Sequence, residues 1–409
     1  MKYGIIGSGP AGFTSAILAA EKGNTVVLFE KDEIGGTCLN KGCIPTKVIM
    51  HTAELYRKAK NASEIGLVAD NLKIDFNALI KHKENVITLL RNSMTKFLES
   101  KNINIVKAYA EITSDNTITA NNQEYKCDKI IVATGSTPKC LNGYSFDGKF
   151  ILNSDDIFKL SKIPENVLII GAGAEGLEWA RIFNDMDCNV TVIEEKNCVL
   201  PVADNDISKY IENLLKQRGI DLKTLTTVKK LENRQVTLST GEVLNPDFVL
   251  VAIGRLPLKP EKVNGKVIYL GDTNAQLMLA NFAIYQARAL LSDIKFDSVF
   301  VPNVVYGEPE IAWIGANEQD LPVGSYEKSV FPIKALGKAH CENEKNGFIK
   351  VLSYQGNIIG AHIVSKEASA LIHQFAVAMQ NNIKTSELKK ICFAHPTYSE
   401  GVYESIVKL

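Results

Sequence analysis

The chain has 409 residues, of which 45% are hydrophobic and 22% are charged. This composition excludes a disordered, collagenous or disulfide-scaffold chain, and the length predicts two to four domains because domains cluster near ~100 to 200 residues. Lys plus Arg number 46 and Asp plus Glu also number 46, so no net field would recruit a nucleic acid or an anionic membrane surface.

The cysteines and the N-terminus bear on the compartment. Eight cysteines are spread along the chain, and only Cys38 and Cys43 form a close pair, which favours a reducing compartment over a small secreted domain. The N-terminus enters a strand-like run without a basic region or cleavage signal, and no apolar stretch reaches the ~18 residues that span a bilayer. The sequence therefore predicts a soluble, cytoplasmic protein with neither a membrane nor a nucleic acid as partner.

A glycine-rich turn occurs twice. YGIIGSGPAG begins one unit and VLIIGAGAEG begins another. In each, a short apolar strand precedes the glycines, a helical pattern follows them, and a second strand, TVVLFE or NVTVIE, comes next. The sequence therefore predicts two βαβ units, each with a nucleotide site.

The remaining patterns divide the chain into domains. A helical period runs from Phe76 to Leu98, segments such as NTITA predict β-hairpins, and the strands IIVATG and FVLVAIG close the two units. A Pro-containing linker, GRLPLKPEKVNG, precedes VIYLGD and a helical stretch, and from Ser298 the pattern changes to strands and helices without glycine fingerprints. We expect an α/β fold with two Rossmann-like dinucleotide-binding domains and a C-terminal α+β domain, over residues 1–145 with 265–296, 146–264 and 297–409.

The glycines of both turns fit the spacing G-x-G-x-x-G. Missing side chains there allow a tight turn, the approach of the backbone to a pyrophosphate, and close packing of helix on strand. A carboxylate ends the second strand of each unit at the spacing expected of a ribose ligand. Simple glycine turns in an α/β sheet are the alternative, which the duplicated strand, helix and acid disfavour. The residues are Gly7, Gly9, Gly12 and Glu30 in the first unit and Gly171, Gly173, Gly176 and Glu194 in the second.

Glu194 bears on the choice of the second dinucleotide. A carboxylate repels a ribose 2′-phosphate and accepts hydrogen bonds from a free 2′-hydroxyl, which favours NAD over NADP. Lys196 lies two residues further on and works against that exclusion.

The string GGTCLNKGCIPTK, residues 35–47, is the most specific in the chain. Its cysteines can close a small ring, so that a disulfide forms and breaks easily by exchange. A zinc half-site or a structural disulfide is the alternative, but the chain offers no second close Cys/His pair with zinc spacing. The string resembles the redox-active segment of the dihydrolipoamide dehydrogenase group in the pyridine nucleotide-disulfide oxidoreductase class I family. The resemblance runs from the first strand almost to the C-terminus.

The resemblance implies catalytic roles near the cysteine pair. Cys43 would be the thiolate that faces a flavin, and Cys38 would exchange with the substrate. A helix N-terminus and a protonated histidine would lower the pKa of the thiolate. Lys47 would pair with Glu178 close to the flavin ring, where the alternative is a solvated surface pair.

The resemblance also implies further cofactor contacts. The segment IVATG and the Leu270-Gly271-Asp272 segment are similar to two flavin-domain motifs, with Asp272 on the ribityl chain. The fingerprint, built for a pyrophosphate joined to adenosine, indicates FAD rather than FMN. The implied additional cofactor-binding residues are Gly36, Thr37, Lys47, Thr134, Gly135, Gly254 and Asp272.

Near the C-terminus, HPTYSE resembles the acid-base segment of the same family. His395 would take a proton from a substrate thiol and Glu400 would orient the ring, a role that suits histidine because its pKa lies near working pH. In the family this dyad reaches the partner's cysteine pair, so the resemblance implies a homodimer with a shared site and a C-terminal dimerisation domain. It also implies a cis bond between His395 and Pro396. His340 and His362 are interpreted as structural or surface residues.

The implied reaction is oxidation of dihydrolipoyl groups to lipoyl disulfide with reduction of NAD⁺, using FAD and NAD as cofactors. The lipoyl groups would be carried by a lipoyl domain of a 2-oxoacid dehydrogenase complex or by a glycine-cleavage carrier. Glutathione reductase, which would normally need arginines after the second strand, and mercuric reductase, which would need a C-terminal cysteine pair, are the close alternatives. A non-catalytic flavoprotein subunit is an alternative of another class.

Three features depart from the family pattern. The segment from Arg255 to Asp272 is short, which predicts a trimmed NAD-binding domain. Glu175 replaces an apolar residue between the fingerprint glycines, and Ala174 replaces a bulkier group. Phe393 stands where close relatives often have another histidine.

Overall fold

The structure, a computed structural model, describes residues 1–260, 267–293 and 299–409. Up to residue 138 its elements are β1 (Lys2–Ile6), α1 (Pro10–Glu21), β2 (Thr25–Glu30), α2 (Gly36–Lys41), α3 (Cys43–Lys60), α4 (Phe76–Ser100), β3 (Asn104–Lys107), β4 (Ala110–Ser114), β5 (Thr117–Ala120), β6 (Gln123–Lys126), β7 (Lys129–Val132) and β8 (Ser136–Pro138).

The middle of the chain follows the same alternation. Its elements are β9 (Ile151–Leu152), α5 (Ser154–Ile157), β10 (Asn166–Ile170), α6 (Ala174–Asp185), β11 (Asn189–Ile193), α7 (Asn205–Gln217), β12 (Asp221–Lys223), β13 (Val228–Glu232), β14 (Gln235–Leu238), β15 (Val243–Leu244), β16 (Phe248–Val251) and β17 (Arg255–Pro257). The rest of the described chain contains β18 (Val267–Tyr269), α8 (Ala280–Leu291), β19 (Asn303–Val305), β20 (Glu310–Gly315), β21 (Glu327–Pro332), α9 (Gly337–Cys341), β22 (Phe348–Tyr354), β23 (Asn357–Ser365), α10 (Ala368–Gln380), α11 (Thr385–Leu388) and α12 (Ser399–Val407).

The first sheet has the strand order β18-β7-β1-β2-β3, and all its neighbouring pairs are parallel. β1 and β7 are runs of apolar residues because both faces of the sheet are covered. Helices α1 and α8 lie against one another and pack on one face, while the antiparallel sheet β4-β5-β6 packs on the other. This confirms the first predicted βαβ unit.

The second sheet repeats this design. Its order is β12-β11-β10-β16-β9, again parallel throughout, and α6 follows β10 directly. Most residues of α6 are buried, including Trp179, Ile182 and Phe183. The second predicted βαβ unit is confirmed.

Two short strands connect these sheets. β8 and β17 pair antiparallel, with Ser136 opposite Pro257 and Pro138 opposite Arg255. The predicted domain boundary at 145/146 lies between β8 and β9. The boundaries at 264/265 and 296/297 lie outside the described residues, so the domain limits stay a prediction.

The C-terminal part is a five-stranded antiparallel sheet with the order β19-β20-β23-β22-β21. Its core is formed by apolar residues of the sheet with α10 and α12, among them Ile349, Phe375 and Val402. The α/β fold with two Rossmann-like sheets and a separate C-terminal domain is therefore as predicted. Within the described ranges, no helix is both long and apolar enough to cross a bilayer.

Candidate active site

The first glycine turn joins β1 to α1 and has the backbone that a dinucleotide needs. Gly7 has a φ of +98°, which glycine adopts without strain, and a Cβ atom at Gly12 would lie 1.8 Å from the Gly7 carbonyl oxygen. A Cβ atom at Gly9 would meet nothing within 4 Å. The turn is therefore tight, α1 packs directly on it, and the helix N-terminus is open at Gly9 to a pyrophosphate.

The second turn, between β10 and α6, has the same three features. Gly171 has a φ of +104°, a Cβ atom at Gly176 would lie 1.9 Å from the Gly171 carbonyl oxygen, and Gly173 has nothing within 4 Å of its Cβ position. The two turns therefore present the same kind of anion-binding helix N-terminus, one in each parallel domain.

Two acids hold equivalent positions in the two domains: Glu30 is the last residue of β2, and Glu194 directly follows β11. Glu30 accepts hydrogen bonds from the backbone N–H of Ser8, at 2.8 Å, and from the N–H two residues after itself, at 2.9 Å. Glu194 accepts from the N–H of Ala172, at 2.8 Å, and again from the N–H two residues on, at 2.9 Å. Each carboxylate is thus fixed beside its glycine turn, where a ribose hydroxyl could reach it.

Helix α2 begins against the first glycine turn. A Cβ atom at Gly36 would lie 2.7 Å from the Cα atom of Gly9, so a larger residue would prevent this approach. Thr37 follows in the first turn of α2. The start of α2 therefore meets the start of α1 at Gly9, an arrangement of backbone donors that fits the pyrophosphate of FAD.

A polar chain connects the first domain to the segment that returns from the second. Ser136 Oγ donates to Asp272 at 2.5 Å, and Arg255 Nε donates to Ser136 Oγ at 2.8 Å. Gly254, with a φ of +100°, turns the chain just before Arg255. Asp272 is therefore held by the Ser136 hydroxyl, whose own position is fixed by Arg255.

Thr134 and Gly135 lie beside this chain at the end of β7. The N–H of Gly135 donates to Thr273 Oγ1 at 2.9 Å, and the Thr134 hydroxyl lies 3.3 Å from the same oxygen. The two segments for which flavin contacts are expected, one ending at residue 135 and one containing Asp272, are therefore in direct contact.

The cysteine pair lies where α2 breaks at Gly42 and α3 begins at Cys43. In the dithiol form, the pKa of Cys43 is lowered to about 7 by a hydrogen bond from the Cys38 thiol, with help from the nearby positive charge of Lys47. The hydrogen bond to Cys43 and burial raise the pKa of Cys38. Of the two sulfurs, Cys43 is therefore the one that carries negative charge near neutral pH.

Lys47 lies one helical turn after Cys43 and is paired as expected. Its Nζ atom donates to Glu178 at 2.7 Å, and the side chains are 32% exposed at Lys47 and 11% exposed at Glu178, so the pair is partly buried. The other Glu178 oxygen accepts from the N–H of Tyr306 at 2.9 Å, and the Lys47 Nζ atom lies 4.4 Å from the centre of the Tyr306 ring. Residues of all three parts of the fold therefore meet beside the cysteine pair.

His395 and Glu400 form a dyad at the opposite end of the chain. His395 Nδ1 lies 2.8 Å from Glu400 Oε1, and this hydrogen bond lowers the pKa of Glu400. The other carboxylate oxygen accepts from the N–H of Thr397 at 2.8 Å, which fixes its direction. The bond between His395 and Pro396 is cis, as expected.

Among the described residues, no hydrogen bond joins this dyad to the cysteines of the same chain. The His395 side chain is 75% exposed, and in the described parts of the chain its ring hydrogen-bonds Glu400 alone. The groups that act most strongly on the thiol of Cys43 are Cys38, Lys47 and Glu178. His395 is thus oriented and open to solvent, with its Nε2 side available to another molecule.

The structure shows the contacts of the residues that depart from the family pattern. Glu175 lies in the first turn of α6 and hydrogen-bonds Ser154, and burial raises its pKa. Ala174 is exposed at the glycine turn, and Phe393 packs against Tyr403 with ring centres 5.3 Å apart. The short segment from Arg255 to Asp272 includes residues 261–266, which lie outside the described residues.

Some residues of the site gave no signal in the sequence. Tyr306, Ser136 and Arg255 are distant in the chain from the groups they contact, and no spacing rule connects them. A buried arginine, Arg181, also escaped notice, although it bonds the carbonyl oxygens of Tyr306 and Pro309.

Comparison with known proteins decides the family. The model of the pyridine nucleotide-disulphide oxidoreductase family matches residues 1–268, and that of its dimerisation domain matches residues 301–406. The chain belongs to the pyridine nucleotide-disulphide oxidoreductases. It is therefore a flavoprotein disulfide oxidoreductase of a family that typically binds FAD and uses NAD or NADP, and the dimerisation domain supports a homodimer.

Among curated relatives of this oxidoreductase, a dihydrolipoyl dehydrogenase of Bacillus subtilis is 31% identical over 449 residues, which cover 100% of this chain and 98% of the relative. A dihydrolipoyl dehydrogenase of Haloarcula marismortui is 31% identical over 448 residues, with coverages of 98% and 95%.

Solved structures show the same fold. LpdA of Mycobacterium tuberculosis superposes with a TM-score of 0.92 at 23% identity, covering 100% of this chain and 99% of that one. RclA of Escherichia coli, an HOCl-induced flavoprotein disulfide reductase, does so with a TM-score of 0.87 at 25% identity and the same coverages.

Proposed function

We propose that this oxidoreductase is a dihydrolipoamide dehydrogenase that oxidises dihydrolipoyl groups and reduces NAD⁺. The observation that carries the proposal is the thiol of Cys43 at the start of α3, whose pKa is lowered to about 7 beside Cys38 and Lys47. Such a sulfur is a good leaving group when the disulfide is attacked. The 31% identity to dihydrolipoyl dehydrogenases supports this substrate over other dithiols.

The sulfur chemistry is carried out by the chain's own residues. His395 removes a proton from one substrate thiol, which attacks Cys38; the Cys38–Cys43 bond breaks and Cys43 leaves as a thiolate stabilised by Lys47. The second substrate thiol then displaces Cys38, so the substrate leaves as a disulfide and its two electrons remain on the cysteine pair. Glu400 holds His395 in the orientation that this proton transfer needs.

The cofactors would occupy the two glycine turns. Gly7, Gly9, Gly12 and Glu30 would hold FAD, which when bound would supply a two-electron acceptor for the reduced cysteine pair and a hydride donor for NAD⁺. The second turn, with Glu194, would hold NAD. The open Cβ positions of Gly9 and Gly173 support both assignments.

The partner of this exposed histidine would be a second copy of the chain. His395 is open to solvent, and the groups that act most strongly on the cysteines in the described part of the chain include no histidine, so a homodimer would complete two shared sites. The protein substrate would be a lipoyl domain of a 2-oxoacid dehydrogenase complex or a glycine-cleavage carrier.

A direct assay tests the substrate. The FAD-loaded protein should reduce NAD⁺ when dihydrolipoamide is added, and Cys43→Ser should abolish this while Cys198→Ser, outside the site, should not. If the protein instead reduces only glutathione disulfide, or leaves NAD⁺ untouched with every dithiol, the dihydrolipoamide assignment is wrong.

A complementation assay tests the shared site. Cys43→Ser and His395→Ala chains should each be nearly inactive, but after joint unfolding and refolding a mixture should recover about a quarter of wild-type activity. Half of randomly paired dimers are hybrids, and each hybrid has one complete site of two. No recovery in verified hybrid dimers would show that each chain uses its own histidine.

A further inference from the structure

Tyr306 belongs to the C-terminal domain but contacts Lys47 of the first domain and Glu178 of the second, beside the cysteine pair. It follows β19, and its ring covers the ammonium group of Lys47 at 4.4 Å. Its backbone N–H donates to the same carboxylate, Glu178, that accepts from Lys47. The tyrosine therefore contacts both members of the Lys47–Glu178 pair, one through the ring and one through the backbone.

The backbone on both sides of Tyr306 is firmly fixed. The guanidinium of Arg181, which is 2% exposed, donates to the carbonyl oxygens of Tyr306 and Pro309. Gly307 has a φ of +126°, and a Cβ atom there would lie 2.5 Å from the Arg181 guanidinium carbon. The tyrosine ring thus projects from a turn whose carbonyl oxygens are bonded by Arg181 and in which a side chain at Gly307 would be strained.

The charges of Lys47 and Glu178 act on Cys43 in opposite directions. Lys47 lowers the pKa of Cys43, while the negative charge of Glu178 raises it. The net effect on the sulfur therefore depends on where the ammonium group sits between the two. An aromatic face attracts a cation and restricts a flexible lysine side chain to one side of the carboxylate.

We propose that Tyr306 is a positioning residue for the disulfide chemistry, because its ring holds the Lys47 ammonium group where it stabilises the Cys43 thiolate. The proposal rests on Cys43 as the reactive thiolate of the function proposed above. It adds to that function a contribution from the third domain, made through the contact of the Tyr306 ring with Lys47.

Several helices and strands contribute charged or titratable groups near Cys43 and Tyr306. Cys38 faces Cys43 from α2, Lys47 from α3 and Glu178 from α6. Burial raises the pKa of Tyr306, and the negative charges of Glu310 on β20, of Glu178 and of the two cysteines raise it further. The tyrosine hydroxyl therefore stays protonated over the pH range in which Cys43 titrates.

The experiment measures the Cys43 thiolate without any substrate. In the FAD-loaded Cys38→Ser protein, the rate at which iodoacetamide labels Cys43 is followed by peptide mass spectrometry as a function of pH. Tyr306→Met should raise the midpoint of this profile by roughly half a pH unit or more, since the lysine is no longer held. Tyr306→Phe keeps the ring and should leave the midpoint in place. Tyr306→Leu should act like Tyr306→Met and replaces it if that chain does not fold.

Two controls separate positioning from packing. Tyr210 contacts Phe348 across another domain boundary, with ring centres 6.1 Å apart, so Tyr210→Met removes a comparable ring away from the cysteines and should leave the midpoint unchanged. In a Lys47→Gln background, Tyr306→Met should cause no further shift because the ring acts through Lys47.

Three results would overturn the proposal: an unchanged midpoint in Tyr306→Met, an equal shift in Tyr306→Phe, or a full shift that persists without Lys47. Lipoamide-dependent NAD⁺ reduction by the wild-type protein tests the proposed function separately. Either can therefore fail without the other.

Discussion

His395 Nδ1 lies 2.8 Å from Glu400 Oε1, and the ring that this contact orients is three-quarters exposed. An exposed pair of this kind adds little to the stability of the folded protein. Proton transfer therefore explains the fixed contact between His395 and Glu400 better than folding does. In the function proposed above, it is the part of the site that a second chain would complete.

The first prediction concerns this dyad. His395→Ala should lower kcat for dihydrolipoamide by about 10² to 10⁴, and Glu400→Gln by about tenfold to a hundredfold, because the second change leaves a base that is only poorly oriented. Steady-state kinetics of both variants measure this. His373, an exposed histidine of α10, provides the control, and His373→Ala should be as active as wild type. Equal losses at His373 and His395 would contradict the assignment.

The second prediction concerns nucleotide selectivity. Glu194→Arg should raise kcat/KM for NADP⁺ relative to NAD⁺ by about tenfold or more, since a cation replaces the carboxylate that repels a 2′-phosphate. The next residue, Glu195, is exposed and serves as a matched control for the change of charge. If Glu195→Arg alters selectivity as much as Glu194→Arg, long-range charge explains the effect and Glu194 has no ribose contact.

The third prediction separates the two glycine turns. Alanine fits the backbone at Gly9 and Gly173, where a Cβ atom meets nothing, but its methyl group would occupy the place of a pyrophosphate. Gly9→Ala should therefore fold yet lose bound FAD, while Gly173→Ala should keep FAD and raise KM for NAD⁺ by about tenfold. Flavin absorbance and steady-state kinetics report both. Gly337, equally open at the start of α9, is the control, and retained FAD in Gly9→Ala would contradict the FAD assignment.

The fourth prediction concerns pH. Burial, together with a hydrogen bond to Glu308 and its charge, raises the pKa of Glu344 from 4.5 to about 7. The folded state therefore holds this proton more tightly than the unfolded state, so a stabilising contribution present below about pH 4.5 is lost as the pH rises to about 7.

Glu344→Gln should remove this loss. At pH 8 the variant should be more stable than wild type by roughly 1 to 2 kcal/mol, and at pH 5 the difference should be much smaller. Urea unfolding at pH 5 and at pH 8 measures the difference in stability. Glu99→Gln, which changes an exposed glutamate of helix α4, is the control. A variant less stable than wild type at pH 8 would show that the contact between ionised Glu344 and Lys58 outweighs the cost of the buried charge beside Glu308.

The parts of the fold that were predictable depend on local rules. The glycine turns, the strands beside them and the helix from Phe76 follow from spacing and hydrophobic period, because each feature is formed by neighbouring residues. The pairing of Lys47 with Glu178 joins residues 131 positions apart, and only the resemblance to a family placed it in the site.

The contacts that no pattern predicted all join distant segments through polar groups. Tyr306 lies on Lys47 because the C-terminal part packs on the first, and Arg255 reaches Ser136 from 119 positions away because β17 pairs with β8. Hydrophobic periodicity predicts which faces are buried but carries no information on which polar side chains meet there. A buried cation such as Arg181 is indistinguishable from a surface arginine until its carbonyl partners are seen.

The pairing of β8 with β17 brings together the two ends of the segment that contains the second sheet. Pro138 and Arg255 lie opposite each other, so the chain leaves the flavin-side domain and re-enters it at one place. Everything between them is one continuous insertion with adjacent ends, so its length can change without a change in the order of the first sheet, provided that the packing of α6 on α3 is kept.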